Sequence, residues 1–168
     1  MLYRNNYRSP LGEILLAADE EGLTGLWFME NQKHMGEGLS ENAVRRSLPV
    51  FDETARWLDL YFSGKDPGFT PQLHLTGSAF RRRVGEIMLE IPYGETTTYG
   101  EIARRIAAER GISRMSSRAV GGAVGRNPIS LIIPCHRVIG SDGSLTGYGG
   151  GLERKAALLR LEQHEHES

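Results

Sequence analysis

The feature that most restricts the fold of this chain is a change of pattern about halfway along it. Residues 2–8, 13–18 and 23–28 are short β-compatible segments separated by turn-forming residues. From Ser78 onward, apolar residues recur instead at helical spacing. The pattern therefore predicts an α+β protein in which a small antiparallel three-stranded sheet precedes a mainly helical part.

A helix is predicted to accompany the sheet over residues 51–62, with Ala55, Leu58 and Phe62 on its buried side. The polar segment 31–47 predicts a loop or a frayed helix.

Two domains are predicted from the composition between these parts. Residues 65–76 carry the prolines and glycine of a linker. We therefore expect an N-terminal α/β domain over 1–70, which gives structural support, and a C-terminal domain over 77–165. No stretch has the secretory or membrane-spanning pattern, so we expect a cytoplasmic protein without a membrane partner.

A helix-turn-helix is predicted within the C-terminal part. Thr98 and Glu101 have the spacing of a capping box and begin a helix that Gly111 ends. Ser113 is then suited to cap a second helix over residues 114–124. Two short helices joined by a tight turn predict a winged-helix-like unit, although most such pairs are simply packed helices.

The charge of the chain is unevenly distributed, although the net charge is only −1. Between Thr97 and Gly140, seven arginines are opposed by two glutamates. These arginines are Arg104, Arg105, Arg110, Arg114, Arg118, Arg126 and Arg137. Such a basic stretch fits a surface that meets a polyanion, or a solvated face without a partner.

The predicted second helix carries an unusual face. Arg114, Arg118 and Gly122 recur every four residues and so share one side. Glycine costs roughly 1 kcal/mol relative to alanine inside a helix. Either a bulky ligand approaches this face closely, or a neighbouring helix packs against it.

The single cysteine lies in the segment with the most chemistry. The apolar run 129–133 predicts a buried strand that leads into a turn fixed by Pro134. Cys135 follows, with His136 and Arg137 beside it. A neighbouring base or positive charge is what a nucleophilic thiol requires, whereas an isolated cysteine is most often a packing residue.

A carboxylate could complete this site. The final helix is predicted over residues 151–163, and Glu162 falls at the edge of its inward face. Three apolar residues mark that face: Leu152, Ala156 and Leu159. A buried carboxylate needs a donor, and His136 would give a Glu–His–Cys relay; in the alternative, the helix has frayed and Glu162 is solvated.

These residues together resemble the O6-alkylguanine-DNA alkyltransferase family, also called methylated-DNA–protein-cysteine methyltransferases. The run from Pro134 to Val138 is similar to the family's active-site signature. Further runs match the family in order, at 91–95, 99–103, 118–121, 127–128 and 149–152. The resemblance is strong from Gly77 to about Glu162 and loose before it.

The resemblance implies a role for each matching residue in the chemistry. Cys135 is the alkyl acceptor, His136 the base that takes the thiol proton through a water, and Glu162 the carboxylate that orients it. Asn127 braces the active-site turn, and the Tyr99 hydroxyl stabilises the leaving guanine.

It also implies how DNA is held. Arg118 enters the base stack in place of the flipped guanine, and the small residues Ser117, Ala119 and Gly122 face the minor groove. Arg137 is expected to contact DNA as well.

The resemblance further implies a pocket for the flipped base and a self-contained reaction. The pocket is lined by Tyr99, Val138, Tyr148 and Gly149. The partner is double-stranded DNA containing O6-alkylguanine, with O4-alkylthymine a further candidate. We expect one turnover per molecule, a monomer, and no metal, no cofactor and no obligate protein partner. Residues 109–114 make the segment between Tyr99 and Arg118 longer than is usual in the family.

Three other functions stay open at the level of the sequence. The first is a non-catalytic sensor of the alkyltransferase-like type, which lacks the acceptor cysteine. The second is a DNA-binding regulator that reads the major groove, which needs several base-reading side chains. The third is a cysteine hydrolase, which would turn over repeatedly.

Overall fold

The computed structural model describes residues 1–29, 43–145, 148 and 151–166. Three strands form the predicted antiparallel meander, namely β1 (Tyr3–Ser9), β2 (Gly12–Asp19) and β3 (Gly22–Phe28). Gly22 begins β3 with a φ of 153°, and a side chain there would collide with the backbone carbonyl of Gln72. The predicted strands are thus confirmed almost residue for residue.

A fourth strand was not predicted. The two residues Val44–Arg45 form β4, which pairs parallel to β1, so the sheet order is β3-β2-β1-β4. The predicted loop over 31–47 is therefore wrong at its end, while residues 30–42 lie outside the described part.

The helix α1 (Pro49–Phe62) packs against the sheet, but its buried face differs from the prediction. Its buried residues are Phe51, Thr54, Trp57, Leu58 and Tyr61. Ala55 and Phe62 are only half-buried. The sequence pattern missed this face because Thr54 and Tyr61 carry polar groups that find partners inside the protein.

The C-terminal part contains the predicted helical pair. After α2 (Ala79–Leu89), which Ser78 caps, come the short strand β5 (Thr97–Thr98), α3 (Tyr99–Arg110) and α4 (Ser117–Gly125). Thr98 caps α3 by accepting a hydrogen bond from the N–H of Glu101.

The start of the second helix was predicted too early. Ser116 rather than Ser113 caps α4, because its Oγ accepts from the N–H of Ala119 at 3.2 Å. Gly111 ends α3 in the left-handed region, and a connection without regular secondary structure follows. Arg114 therefore lies in this connection and does not share a helix face with Arg118 and Gly122.

The predicted strand over 129–133 is also wrong. Only one isolated bridge, between Leu26 and Ile129, joins this segment to the sheet. The chain then forms a short 3₁₀-helix (Cys135–Arg137) and β6 (Val138–Ile139), which pairs parallel to β5. An apolar run of this length fits several buried conformations, and periodicity alone does not separate them.

The last helix, α5 (Leu152–His166), presents a different inward face from the predicted one. Lys155, Leu158 and Glu162 are buried, whereas Leu152 is 51% exposed. The spacing of three and four residues places the buried groups on one stripe, so two charged side chains point into the protein.

One hydrophobic cluster connects the sheet, α1 and the C-terminal helices; it includes Leu26, Leu58, Val84 and Val138. The division at residues 70–77 stays a prediction. Within the described ranges, no helix has the length and apolar composition needed to cross a bilayer.

The position of the α4 cap can be tested by two matched serine substitutions. We expect Ser116→Ala to lower the free energy of unfolding by about 1 kcal/mol, because an N–H of the first turn loses its acceptor. Ser113→Ala should change it by less than about 0.5 kcal/mol. Urea unfolding followed by circular dichroism measures both, and equal losses would contradict the boundary at Ser116.

Candidate active site

Cys135 lies at the start of the 3₁₀-helix, in a turn that Asn127 holds together. The side-chain amide of Asn127 donates to the carbonyl oxygens of Ile133 at 2.9 Å and Ile129 at 3.3 Å. Its Oδ1 accepts from the N–H of Ile129 at 3.1 Å. One buried side chain thus replaces the sheet partners that this segment lacks, and fixes the approach to Cys135.

The same turn contains an uncommon backbone conformation. Leu131 has a φ of 71° and is the only non-glycine residue with positive φ in the described part of the chain. This conformation is costly for a branched side chain and persists where the surroundings impose it. Leu131 is fully buried, so packing around it supplies that constraint.

Glu162 and His136 form the predicted pair in the interior. Nε2 of His136 lies 2.5 Å from Oε2 of Glu162, and both side chains are buried. Oε1 of Glu162 accepts from Nε of Arg137 at 2.8 Å and from the N–H of Gly94 at 3.0 Å. A fourth donor, the hydroxyl of Tyr61, lies 2.6 Å from Oε2.

These donors keep the Glu162 carboxylate ionised despite its position. Burial by itself raises the pKa of the carboxyl group, but the hydrogen bonds from His136 and Arg137 and the charge of Arg137 hold the pKa well below its usual range. An ionised carboxylate only accepts hydrogen bonds, so the proton of the His136 imidazole lies on Nε2.

The other ring nitrogen of His136 is therefore the basic one. Nδ1 is buried and has no hydrogen-bond partner among the described residues. Burial lowers the pKa of His136, against the opposing effect of Glu162, so the ring is neutral near pH 7. The site consequently holds an oriented base with its lone pair available.

The Cys135 thiol is protonated and enclosed. The residue is 4% exposed, and burial raises the pKa of the thiol, while a hydrogen bond from Asn127 and the charge of Lys155 partly oppose this. The protein therefore does not store a thiolate, and a base must take the proton during the reaction.

Lys155 is a charged residue of this site that the sequence analysis missed. It is fully buried, and its ammonium group donates to the carbonyl oxygen of Val138 at 2.6 Å. Burial lowers the pKa of Lys155 to about 8, an effect that Cys135 partly opposes. Its spacing from Glu162 along one helix is the signal that could have revealed it.

Arg137 does not occupy the place that was predicted for it. The residue is 7% exposed, donates to Glu162, and also donates from Nη1 to the carbonyl oxygen of Ile91 at 2.8 Å. Its guanidinium group is thus used inside the protein, which does not support its prediction as a DNA contact. Its charge supports Glu162 instead of facing a polyanion.

The predicted DNA-contacting residues of α4 lie together on an open surface. Ser117, Arg118, Ala119 and Gly122 are all exposed. Outside its own helix, no described residue lies within 4 Å of the position that a side chain at Gly122 would occupy, so close packing against another described helix does not explain this glycine.

Three arginines around this surface lack a carboxylate partner in the described part of the chain; they are Arg104, Arg114 and Arg118. Arg105, by contrast, pairs with Glu90 and Glu109. The positive charge of the middle of the chain is therefore concentrated near the helix-turn-helix.

The residues predicted to line a base pocket have different surroundings. Tyr99 is half-buried at the start of α3, and its ring lies 5.9 Å from Nζ of Lys155. Val138 and Tyr148 are buried, and the Tyr148 ring meets the His136 ring edge-on at 6.4 Å. Gly149 lies outside the described residues.

The described residues contain no group of three His, Cys, Asp or Glu side chains that is placed to hold a metal ion.

Fold and site together define an α+β protein with a helix-turn-helix and a single buried thiol beside a paired histidine. The sequence model described as "6-O-methylguanine DNA methyltransferase, ribonuclease-like domain" matches residues 2–75. The model described as "6-O-methylguanine DNA methyltransferase, DNA binding domain" matches residues 79–164.

Curated relatives and solved structures agree with these matches. The chain is 45% identical to a methylated-DNA–protein-cysteine methyltransferase of Methanosarcina acetivorans, over 96% of this chain and 98% of that protein. It is 42% identical to one of Mycobacterium leprae, over 98% and 94%. The crystal structure of Mycobacterium tuberculosis OGT in complex with DNA has a TM-score of 0.81 and 41% identity, over 97% of this chain and 94% of that one.

The chain belongs to the 6-O-methylguanine DNA methyltransferase family. This membership confirms, at the level of the family, four predictions from the sequence: the resemblance, the fold class, the enzyme class and the alkyl-transfer function. The roles of the individual residues stay predictions.

The protonation state of the thiol predicts slow reaction with a simple electrophile. Because burial raises the pKa of Cys135, less thiolate is present at pH 7 than for a free cysteine, and iodoacetamide should react at least about tenfold more slowly. The rate should rise as the pH increases toward the thiol pKa. Mass spectrometry measures the rate, with the guanidinium-unfolded chain as the control, and equal rates would contradict the enclosed thiol.

Proposed function

We propose that this chain repairs double-stranded DNA by transferring an alkyl group from O6 of guanine to Sγ of Cys135, as a monomer in the cytoplasm and without a cofactor. One observation carries this assignment of roles. The only thiol of the chain is buried next to His136, whose Nε2 is paired with Glu162 and whose Nδ1 remains available as a base.

The proposed reaction is a displacement at the alkyl carbon. Nδ1 of His136 takes the proton of the Cys135 thiol through a water, and the sulfur attacks the carbon opposite O6. The S–C bond forms as the C–O6 bond breaks, and the guanine leaves with the electron pair. One proton returned to the guanine balances the reaction, and the Tyr99 hydroxyl supports the negative charge that develops there.

The product explains why one molecule reacts once. A thioether is stable to hydrolysis, and the reaction uses up the only cysteine of the chain. The burial of Cys135 and its raised pKa fit this outcome, because a thiol that cannot be regenerated must be protected from other electrophiles.

The surface of α4 supports the proposed way of binding DNA. The solved relative that is 41% identical was crystallised in complex with DNA. Positions 117, 119 and 122 carry serine, alanine and glycine, so the side chains on this surface are short. Short side chains let the helix approach the narrow minor groove and suit it better than the major groove. Arg118 lies between them and would fill the stack after the guanine flips, which costs a few kcal/mol.

Access to the thiol requires an opening movement. Because Cys135 is 4% exposed, an extruded base reaches Sγ only after neighbouring side chains move aside. Tyr148 is the best candidate, since its buried hydroxyl has no hydrogen-bond partner in the described part of the chain and its ring contacts His136. Binding of the damaged base would then supply that hydroxyl with a partner.

Transfer can be separated from mere recognition by mass spectrometry. After incubation with a duplex that contains O6-methylguanine, we expect the intact protein to gain the mass of one CH2 unit, located on Cys135. Cys135→Ala should show no gain while it retains affinity for the duplex. Binding without any gain in mass by the natural protein would favour the non-catalytic sensor, and repeated turnover would favour a hydrolase.

The wedge role of Arg118 predicts a difference between two substrates. We expect Arg118→Ala to slow transfer from duplex DNA by about tenfold or more, because extrusion loses the side chain that fills the stack. Reaction with the free base O6-benzylguanine should change less than about twofold, since it requires no extrusion. Arg160→Ala, a substitution of an exposed arginine on α5, is the control, and an equal loss on both substrates would contradict the wedge.

A further inference from the structure

Tyr61 connects the N-terminal part of the chain to the active site. It lies in the last turn of α1 and is fully buried. Its ring stacks on Trp57 with centroids 5.1 Å apart and meets Tyr93 edge-on at 6.1 Å. Two ring contacts therefore fix the direction in which the hydroxyl points.

That hydroxyl reaches the carboxylate–histidine pair. It donates to Oε2 of Glu162 at 2.6 Å, the same oxygen that accepts from Nε2 of His136. It also lies 3.3 Å from Nε2 itself, so the three polar atoms form a closed triangle.

We propose that Tyr61 is a positioning residue for alkyl transfer, and that its hydroxyl fixes the Glu162 carboxylate so that His136 presents Nδ1 to the thiol. The proposal deepens the function proposed above and rests on it. It gives the N-terminal part a role in the chemistry, beyond the structural support expected from the sequence.

The distribution of donors on Glu162 shows why this hydroxyl matters. Oε1 accepts from Arg137 and Gly94, whereas Oε2 accepts from His136 and Tyr61. Each oxygen therefore has two donors, and only Tyr61 comes from the N-terminal part. Without it, His136 is the one donor to Oε2 among the described residues, and the carboxylate draws the imidazole toward the protonated form.

The other groups around His136 allow the effect of Tyr61 to be isolated. Glu162 and Lys155 act on the ring from α5, Arg137 from its own turn, Tyr61 from α1 and Tyr148 from the loop before α5, while Cys135 is its neighbour in the chain. The pKa of Lys155 is about 8, the pKa values of Cys135 and Tyr148 are raised, and the pKa of Glu162 is lowered. The loss of rate on the acidic side of neutrality therefore belongs to His136.

The test compares Tyr61→Phe with Tyr7→Phe. Tyr61→Phe keeps the ring and its packing and removes only the hydroxyl. Tyr7 offers a matched control, because its hydroxyl likewise donates to a carboxylate. Its acceptor is the exposed side chain of Asp59 on α1, at 2.5 Å, and not Glu162. Single-turnover transfer from an O6-methylguanine duplex to Cys135 is measured from pH 5 to 9, and melting temperatures check the folding of both variants.

A second measurement does not depend on activity. The imidazole of His136 is titrated by NMR in the unreacted protein, and its signals are assigned by their absence in His136→Gln. This measurement reports the state of the base even where transfer is too slow to follow.

In Tyr61→Phe we expect the acidic limb of the rate profile and the His136 titration to move up by about half a pH unit or more. The rate at the plateau should fall by about tenfold. Tyr7→Phe should show neither change. A rate loss without a shift would assign Tyr61 a packing role only, and an unchanged variant would also overturn the proposal. Failure of the natural protein to alkylate Cys135 would instead reject the proposed function itself.

Discussion

The buried carboxylate of Glu162 is the group on which the organisation of this site depends. Four donors surround it, and they come from α1, from the loop at Gly94 and from the turn that carries His136 and Arg137. A buried charge is tolerated only when its acceptor positions are filled in this way. Glu162 therefore holds together parts of the chain that are far apart in sequence, and it fixes the tautomer of His136 at the same time.

The sequence predicted the parts of the site that are encoded locally. Cys135 and His136 are adjacent, and the position of Glu162 follows from counting turns along a single helix. Tyr61 was missed because its role depends on how α1 packs against the C-terminal helices, which no local spacing reveals. Lys155 was missed for another reason. The apolar pattern favoured a buried face of the last helix that includes Leu152, and lysine side chains are rarely buried in proteins.

The limits of the fold prediction have a similar cause. The three strands and the helical pair follow from strong local signals, namely turns, caps and periodicity. The run 129–133 has no such signal, because its backbone groups bond to the side chain of Asn127, to Leu26 of β3 and to one another in a turn. Where a side chain makes the hydrogen bonds that a neighbouring strand would otherwise make, an apolar run does not predict a strand.

The number of arginines in the basic stretch does not show which of them contribute positive charge at the surface. Of the arginines in the basic stretch, Arg105 and Arg137 are paired with carboxylates, so they add little to the outer field. Arg104, Arg114 and Arg118 keep their charge near α4, beside residues with small side chains. A positive surface with small side chains attracts a polyanion and lets it approach closely, whereas the buried carboxylate of Glu162 orients the base. Separating the two charges in this way allows one chain to bind phosphate-rich DNA and still keep a carboxylate ionised beside its histidine.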